Sequence, residues 1–259
     1  MTLYIDDNLM TGMISTPLRE GWIETYVPFE IVPNLDAARV GRGDVALISL
    51  AEAASLIDTH YIDPAIAVAA GTPPISPIAM RTPVRPDEID ESPIVMTDTT
   101  PAAELLIRAL LRPFFGITAD GFVRDADDPA AKDAQCVVVD GRAGLTTPEA
   151  GHSEDLAKAW FVLTGTHVVY AVAVVGVEAD GGEAELGLLR SALDLGVNHR
   201  RDVRRILAGE DDAVDREKLA EITNSLKYEL GQAEIQSASN LLARGTWGTE
   251  WKRHLPAVR

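Results

Sequence analysis

The sequence predicts an α/β fold of two lobes with a cleft between them. Three observations carry this. Short apolar strands alternate with short helices through about the first 80 residues, a spacing that favours a parallel sheet with helical crossovers. A segment rich in proline and acid, residues 81–93, breaks the alternation and reads as a surface connection. Beyond it the alternation restarts and runs out into a helical tail.

TYVPFEIV reads as a strand, and Asn34 as the cap of a helix LDAARV that Gly41 and Gly43 stop. DVALIS is a buried strand and AEAASLID a helix. AIAVAAG is another strand. ISPIAMRT is a further one, placed at an edge or bulge by Pro77. PIVMT is a strand, followed by a helix from Pro101 to about Arg112, where Pro113 stops it. FVR and CVVVD are short strands, SEDLAKAWFVLTG a helix capped by Ser153, and HVVYAVAVVGV a strong strand. The rest is read as mostly helical. The expected lobes are 1–85 plus 180–259, and 86–179, with chain crossovers near 81–93 and 173–185.

Composition narrows the function. A net charge of −17 repels nucleic acid and anionic lipid, so neither is an expected partner. The apolar runs fall short of a bilayer span, and the first residues lack a basic-then-apolar leader pattern, so the expected location is cytoplasmic. The single cysteine, Cys136, reads as a buried strand residue and rules out a disulfide within the chain. Five scattered histidines show no metal-ligand spacing, and the glycines form neither a dinucleotide fingerprint nor a phosphate loop. Self-association as a homodimer is left open.

Ligands of open α/β sheets sit beyond the carboxyl ends of strands, so polar residues there are the site candidates. They are Ser15 and Thr16 before Pro17, Ser49 after DVALI, Ser76, and Thr97, Thr99 and Thr100 after PIVM. Each has a plainer reading. Thr100 caps a helix that Pro101 begins and Glu104 boxes, at about 1 kcal/mol. The same helix end attracts a carboxylate, so TDTT is read as both cap and binding segment. Ser15 and Thr16 make a turn or a second carboxylate contact. Ser49 caps a helix or touches ligand, and Ser76 is similar. Asp140 ends a strand in a DG turn or orients a ligand, and His167 is a base or, as strand-edge histidines more often are, a structural residue.

Several segments, in order, resemble the chorismate dehydratases of menaquinone biosynthesis by the futalosine pathway. They are DVALISLAEAASL, PISPIAMRTPVRPDEID, TTPAAELLIRALLRPFFG, DLAKAWFVLTGTHVVYAVAVV and KYELGQAEIQSASNLL. The fourth is similar to the family pattern with Asp155, Leu156, Trp160, Thr164, Gly165, Val169, Tyr170, Ala171 and Val172 in register. The resemblance runs from about residue 12 to 245. It implies a periplasmic-binding-protein type II fold and a carbon–oxygen lyase that eliminates water from chorismate to give 3-[(1-carboxyvinyl)oxy]benzoate. It implies no metal and no organic cofactor. A sister branch cleaves a cyclic futalosine derivative. The site pattern departs from the family's. Its early asparagine falls on Ile14, its strand serine on Pro77 or, shifted by one, Ser76. Its helix-start pair falls on Ala102 and Ala103, and its pocket segment matches DGRAGL only loosely. The alternative implied by these departures is a non-catalytic protein that binds a small carboxylate.

Overall fold

The computed structural model describes residues 1–146 and 151–259. In chain order the elements begin with β1 (Leu3–Asp6), α1 (Gly12–Arg19), β2 (Phe29–Val32), β3 (Val45–Ser49), α2 (Leu50–Ser55), β4 (His60–Ala69) and β5 (Ala79–Thr82). Next are β6 (Glu91–Val95), α3 (Pro101–Leu110), β7 (Thr118–Val123), β8 (Cys136–Val139), α4 (Gly141–Gly144), β9 (His152–Asp155), α5 (Leu156–Thr164) and β10 (Val169–Gly176). The chain ends with α6 (Glu183–Asn198), α7 (Arg200–Ala208), α8 (Arg216–Ser225), α9 (Gln232–Gly245) and β11 (Ala257–Val258).

The strands form two sheets. The six-stranded sheet has the order β11-β4-β10-β3-β1-β2, and the five-stranded sheet the order β7-β6-β8-β5-β9. In the first, β2, β1 and β3 are parallel, and β10 enters antiparallel between β3 and β4. In the second, β7, β6 and β8 are parallel and β5 is antiparallel to both β8 and β9. Every residue of β3 and of β10 is buried, as continuous apolar runs covered on both faces require.

The chain changes sheet between β4 and β5, at residues 70–78, and returns between β9 and β10. Both changes fall before the crossovers expected at 81–93 and 173–185, so the sheets divide the chain at other points than the expected lobe limits. The 81–93 segment joins β5 to β6 inside one sheet, through a single 3-10 turn at Pro86–Glu88. The first crossing is made by a different proline cluster, Pro73, Pro74 and Pro77. Pro77 stands ahead of β5, which therefore pairs on both sides and is not an edge strand.

Two caps also differ from expectation. Asn34 has a left-handed φ of +50°, which cannot enter a helix. Asp36 caps instead, by accepting from the Ala38 N–H, and it starts only a single 3-10 turn, Ala37–Arg39. Ser153 lies in β9 opposite Arg81, and Asp155 caps α5 by accepting from the Ala157 and Lys158 N–H groups. Thr100 caps α3 as expected, with Pro101 in the first turn and its hydroxyl accepting from Ala103 N–H. The tail is mostly helical, as expected. It breaks at His199, and β11 pairs with β4. α6 packs on α1 and β4, and α9 on α3 and β10, so the tail braces both sheets.

The α1–α6 contact shows how close the packing is. Pro17 lacks an N–H, so the Met13 carbonyl has no intrahelical partner four residues on. That carbonyl meets α6 at Gly196, where an added Cβ would lie 1.9 Å from it. Gly196→Ala is therefore expected to destabilise the fold by about 1–3 kcal/mol, despite alanine's better helix propensity. Urea denaturation checks this; a variant as stable as wild type would show that α6 can move away freely.

Candidate functional site

A cavity of about 340 Å³ opens at the carboxyl ends of β1, β2, β6 and β8. Residues that come after strands of both sheets line it. Asp7, Asn8 and Leu9 come after β1 and Arg19 from the end of α1. Pro33 and Asn34 succeed β2, Asp98 and Thr100 succeed β6, and Asp140, Gly141 and Arg142 succeed β8. Ile206 and Leu207 of α7 supply an apolar wall. The volume suits a small molecule, at the lower end of the roughly 300–1,000 Å³ of ligand pockets.

The β1–α1 turn is built by its own side chains. Asn8 Oδ1 accepts from the Met10 and Thr11 N–H groups at 2.9 and 3.1 Å. The Thr11 hydroxyl donates to the Asp6 carbonyl at 2.5 Å. Asp7 then accepts from the Ser15 hydroxyl and from Arg19 Nη1, each at 2.7 Å. Beneath this turn Asp6 is wholly buried. Burial pushes its carboxyl up to about 6, against hydrogen bonds from Leu35 N–H and Asn8, and the nearby Asp7 and Asp140 push the same way.

On the other wall, Asp140 is the central group. Its Oδ2 accepts from the Thr100 hydroxyl at 2.5 Å and from the Thr100 N–H at 3.1 Å. Its Oδ1 accepts from Gly141 N–H at 2.6 Å. Burial raises its carboxyl above the usual range despite these donors. Arg142 reaches across to α7, donating from Nε to the Leu207 carbonyl at 2.8 Å and from Nη2 to that of Ile206 at 3.4 Å. It thereby ties the five-stranded side to the carboxyl end of α7, the negative end of the helix dipole.

The residues expected at the site from the sequence separate. Thr100 lines the cavity. Thr99 turns away, donating to the Met96 carbonyl, and lines a neighbouring cavity of about 300 Å³ with Asn34, Asp98 and Arg124. Asp98 touches both cavities, because its left-handed φ of +56° swings the chain between them. Ser15 is buried and acts on the site only through Asp7. Thr16 is buried and accepts weakly from Arg19 at 3.5 Å. Ser49 caps α2, and Thr97 is in the lining of neither cavity. Ser76 lies in the first crossing. Its N–H and hydroxyl both donate to Asp155, at 2.8 and 3.0 Å, so it pins the two crossings together. Ile14, where the resemblance expects asparagine, is fully buried and outside the lining.

Sequence reasoning missed Arg19, Asp7 and Asn8, and reached Arg142 only within DGRAGL, the loose match to the family's pocket segment. A signal existed for the acids and amide: LYID before DN is a short alternating strand with polar residues at its carboxyl end. Nothing local marks Arg19, which reaches the cavity from the end of α1. Among the described residues no group of three or more His, Cys, Asp or Glu side chains is arranged to hold a metal, and no helix is long and apolar enough to cross a membrane.

Comparison with known proteins agrees with this architecture. Protein AF1704 from Archaeoglobus fulgidus is similar at a TM-score of 0.63 and 12% identity, covering 93% of this chain and 94% of that one. The Candida albicans CA3427 gene product, described as having the generic periplasmic binding protein fold, is similar at 0.54 and 10% identity, covering 96% and 91%. The alkanesulfonate-binding protein SsuA from Xanthomonas axonopodis pv. citri, bound to MOPS, is similar at 0.59 and 14% identity, covering 93% and 91%. These likenesses give the fold, that of periplasmic binding proteins. No curated protein matches the sequence itself. The model of a family described as menaquinone biosynthesis matches residues 32–246, and the chain belongs to that family.

Proposed function

We propose that the protein is a chorismate dehydratase-like lyase of menaquinone biosynthesis and that it works in the 340 Å³ cavity. The observation that carries this reading is the lining: two arginines, two amides and the buried Asp140 carboxyl around a space of small-molecule size, in a member of this family. Chorismate bears two carboxylates. In a chain of net charge −17, binding it requires local cations, and Arg19 and Arg142 supply them at contact range. Asn8 and Asn34 add amide donors.

Elimination breaks a ring C–H and a C–O bond. The C–H electrons form the new double bond, and hydroxide leaves with a proton as water. A group that takes and gives protons near neutral pH is needed. Asp7 is committed to Arg19 and Ser15. Asp140 lines the cavity with acceptor capacity to spare, and burial raises its carboxyl above the usual range, so it is the lining carboxyl assigned to take the ring proton. Thr100 acts through it.

The test is incubation with chorismate, tracking loss of substrate and appearance of 3-[(1-carboxyvinyl)oxy]benzoate by chromatography. Wild type is expected to turn over. Arg19→Gln and Arg142→Gln should each lower kcat/KM about ten- to a hundredfold, since a hydrogen bond to a charged group is worth about 1.5–3 kcal/mol. A wild-type protein that binds chorismate in calorimetry yet leaves it intact overturns the lyase reading.

A further inference from the structure

The amino end of α3 is a carboxylate site by its sequence, yet its donors point at the protein's own Asp140. The Thr100 N–H and hydroxyl both go to one oxygen of that carboxylate, and Gly141 N–H goes to the other. The Thr100 hydroxyl also receives the Ala103 N–H. An ionised carboxylate has roughly four acceptor sites, and three are taken. The acceptor capacity left belongs to a group that lines the cavity. A second carboxylate set against the Asp140 oxygens, rather than beside Arg142, would find its donors occupied and a like charge in contact. A hydroxyl or N–H would find an acceptor.

The opposite wall is complementary. Arg19 engages Asp7, Glu20 and Thr16, the last two only at 3.5 Å; it lines the cavity, and its side chain is 37% exposed. It retains N–H bonds for an incoming anion. Arg19 ends α1 after β1 of the six-stranded sheet, whereas Asp140 ends β8 of the five-stranded sheet. We infer that the cavity selects hydroxy-carboxylic acids that span it, with the carboxylate on Arg19 and the hydroxyl donating to Asp140. This rests on the cavity being the ligand site proposed above, and it adds which end of the ligand faces which wall.

Three rigid probes test the arrangement by calorimetry: 4-hydroxybenzoate, benzoate and terephthalate. Wild type should bind 4-hydroxybenzoate about tenfold or more tightly than benzoate, and terephthalate more weakly than either. In Asp140→Ala the slot beside Thr100 and Gly141 opens. The order should then reverse, with terephthalate the tightest of the three. Formate should raise the melting temperature of Asp140→Ala but not of wild type, by filling the vacated slot. Wild type binding terephthalate as well as 4-hydroxybenzoate overturns the inference, whether or not the variant folds. The outcome is separable from the lyase reading. A protein that dehydrates chorismate but shows no preference among the probes keeps the activity and loses this assignment. One that ignores chorismate but ranks the probes as stated keeps the assignment and loses the activity.

Discussion

Replacing Trp160 with alanine should lower the stability of the fold by about 3–5 kcal/mol, the usual cost of truncating a fully buried large aromatic. Trp160 is 0% exposed. Its indole N–H donates to the Ser237 hydroxyl oxygen at 3.1 Å, and that hydroxyl donates to the His167 carbonyl at 2.6 Å while accepting from Thr166. The ring therefore packs α5 and also ties α9 to the segment by which the chain returns to the six-stranded sheet. Loss of the indole leaves a cavity and removes one partner from a buried network. Tyr170→Ala belongs with it, since Tyr170 is 2% exposed in the next strand, β10. Chemical denaturation monitored by tryptophan fluorescence and circular dichroism reads both. A midpoint unchanged by either variant would contradict the packing described.

The second large effect is a dependence on pH that runs against ordinary acid denaturation. Asp6 is raised from 3.8 to about 6 in the folded protein, chiefly by burial. The folded state thus holds this proton more tightly than the unfolded chain does. The stability it contributes is complete below about pH 4 and is lost as pH rises to about 6. At about 1.4 kcal/mol per pKa unit the loss is about 3 kcal/mol. Asp140 and Asp155, also raised by burial, act in the same direction. Melting temperature should therefore fall between pH 4 and pH 7, and Asp6→Asn should flatten much of that fall. The slope is the readout rather than absolute stability, because the new amide would face the Asn8 amide that now donates to Asp6 at 3.2 Å. An unchanged slope in the variant would remove Asp6 as its source.

Much of the architecture is legible in the sequence because the information is local. The unbroken apolar run of β3, the β-branched run of β10 and the Thr100–Pro101 helix start each state their own structure. The burial of Trp160 and Tyr170 comes from similar patterning. The illegible part is relational. A run such as AIAVAA announces β4 but not its neighbours, so its pairing with β10, a hundred residues later, cannot be read from it. Caps fail for a related reason. Asn34 and Ser153 each compete with an aspartate two residues later, and the backbone conformation decides between them. The site fails most. Thr99 and Thr100 are adjacent in sequence yet face different cavities, through one left-handed residue at Asp98. Arg19 and Arg142 converge only after both sheets have formed.

The position of β10 has a consequence for how the molecule is made. It lies between β3 and β4, yet it comes after the whole five-stranded sheet in the sequence. A nascent chain leaving the ribosome therefore carries β3 and β4 with no strand between them until more than a hundred further residues have been added to β3. Both have open hydrogen-bonding edges and apolar faces throughout that interval. The contiguous residues 79–155 have all their strand partners at hand well before then and are free to collapse first. Synthesis that stalls before residue 169 leaves the facing edges of these two apolar strands exposed, a stretch open to aggregation or to a chaperone.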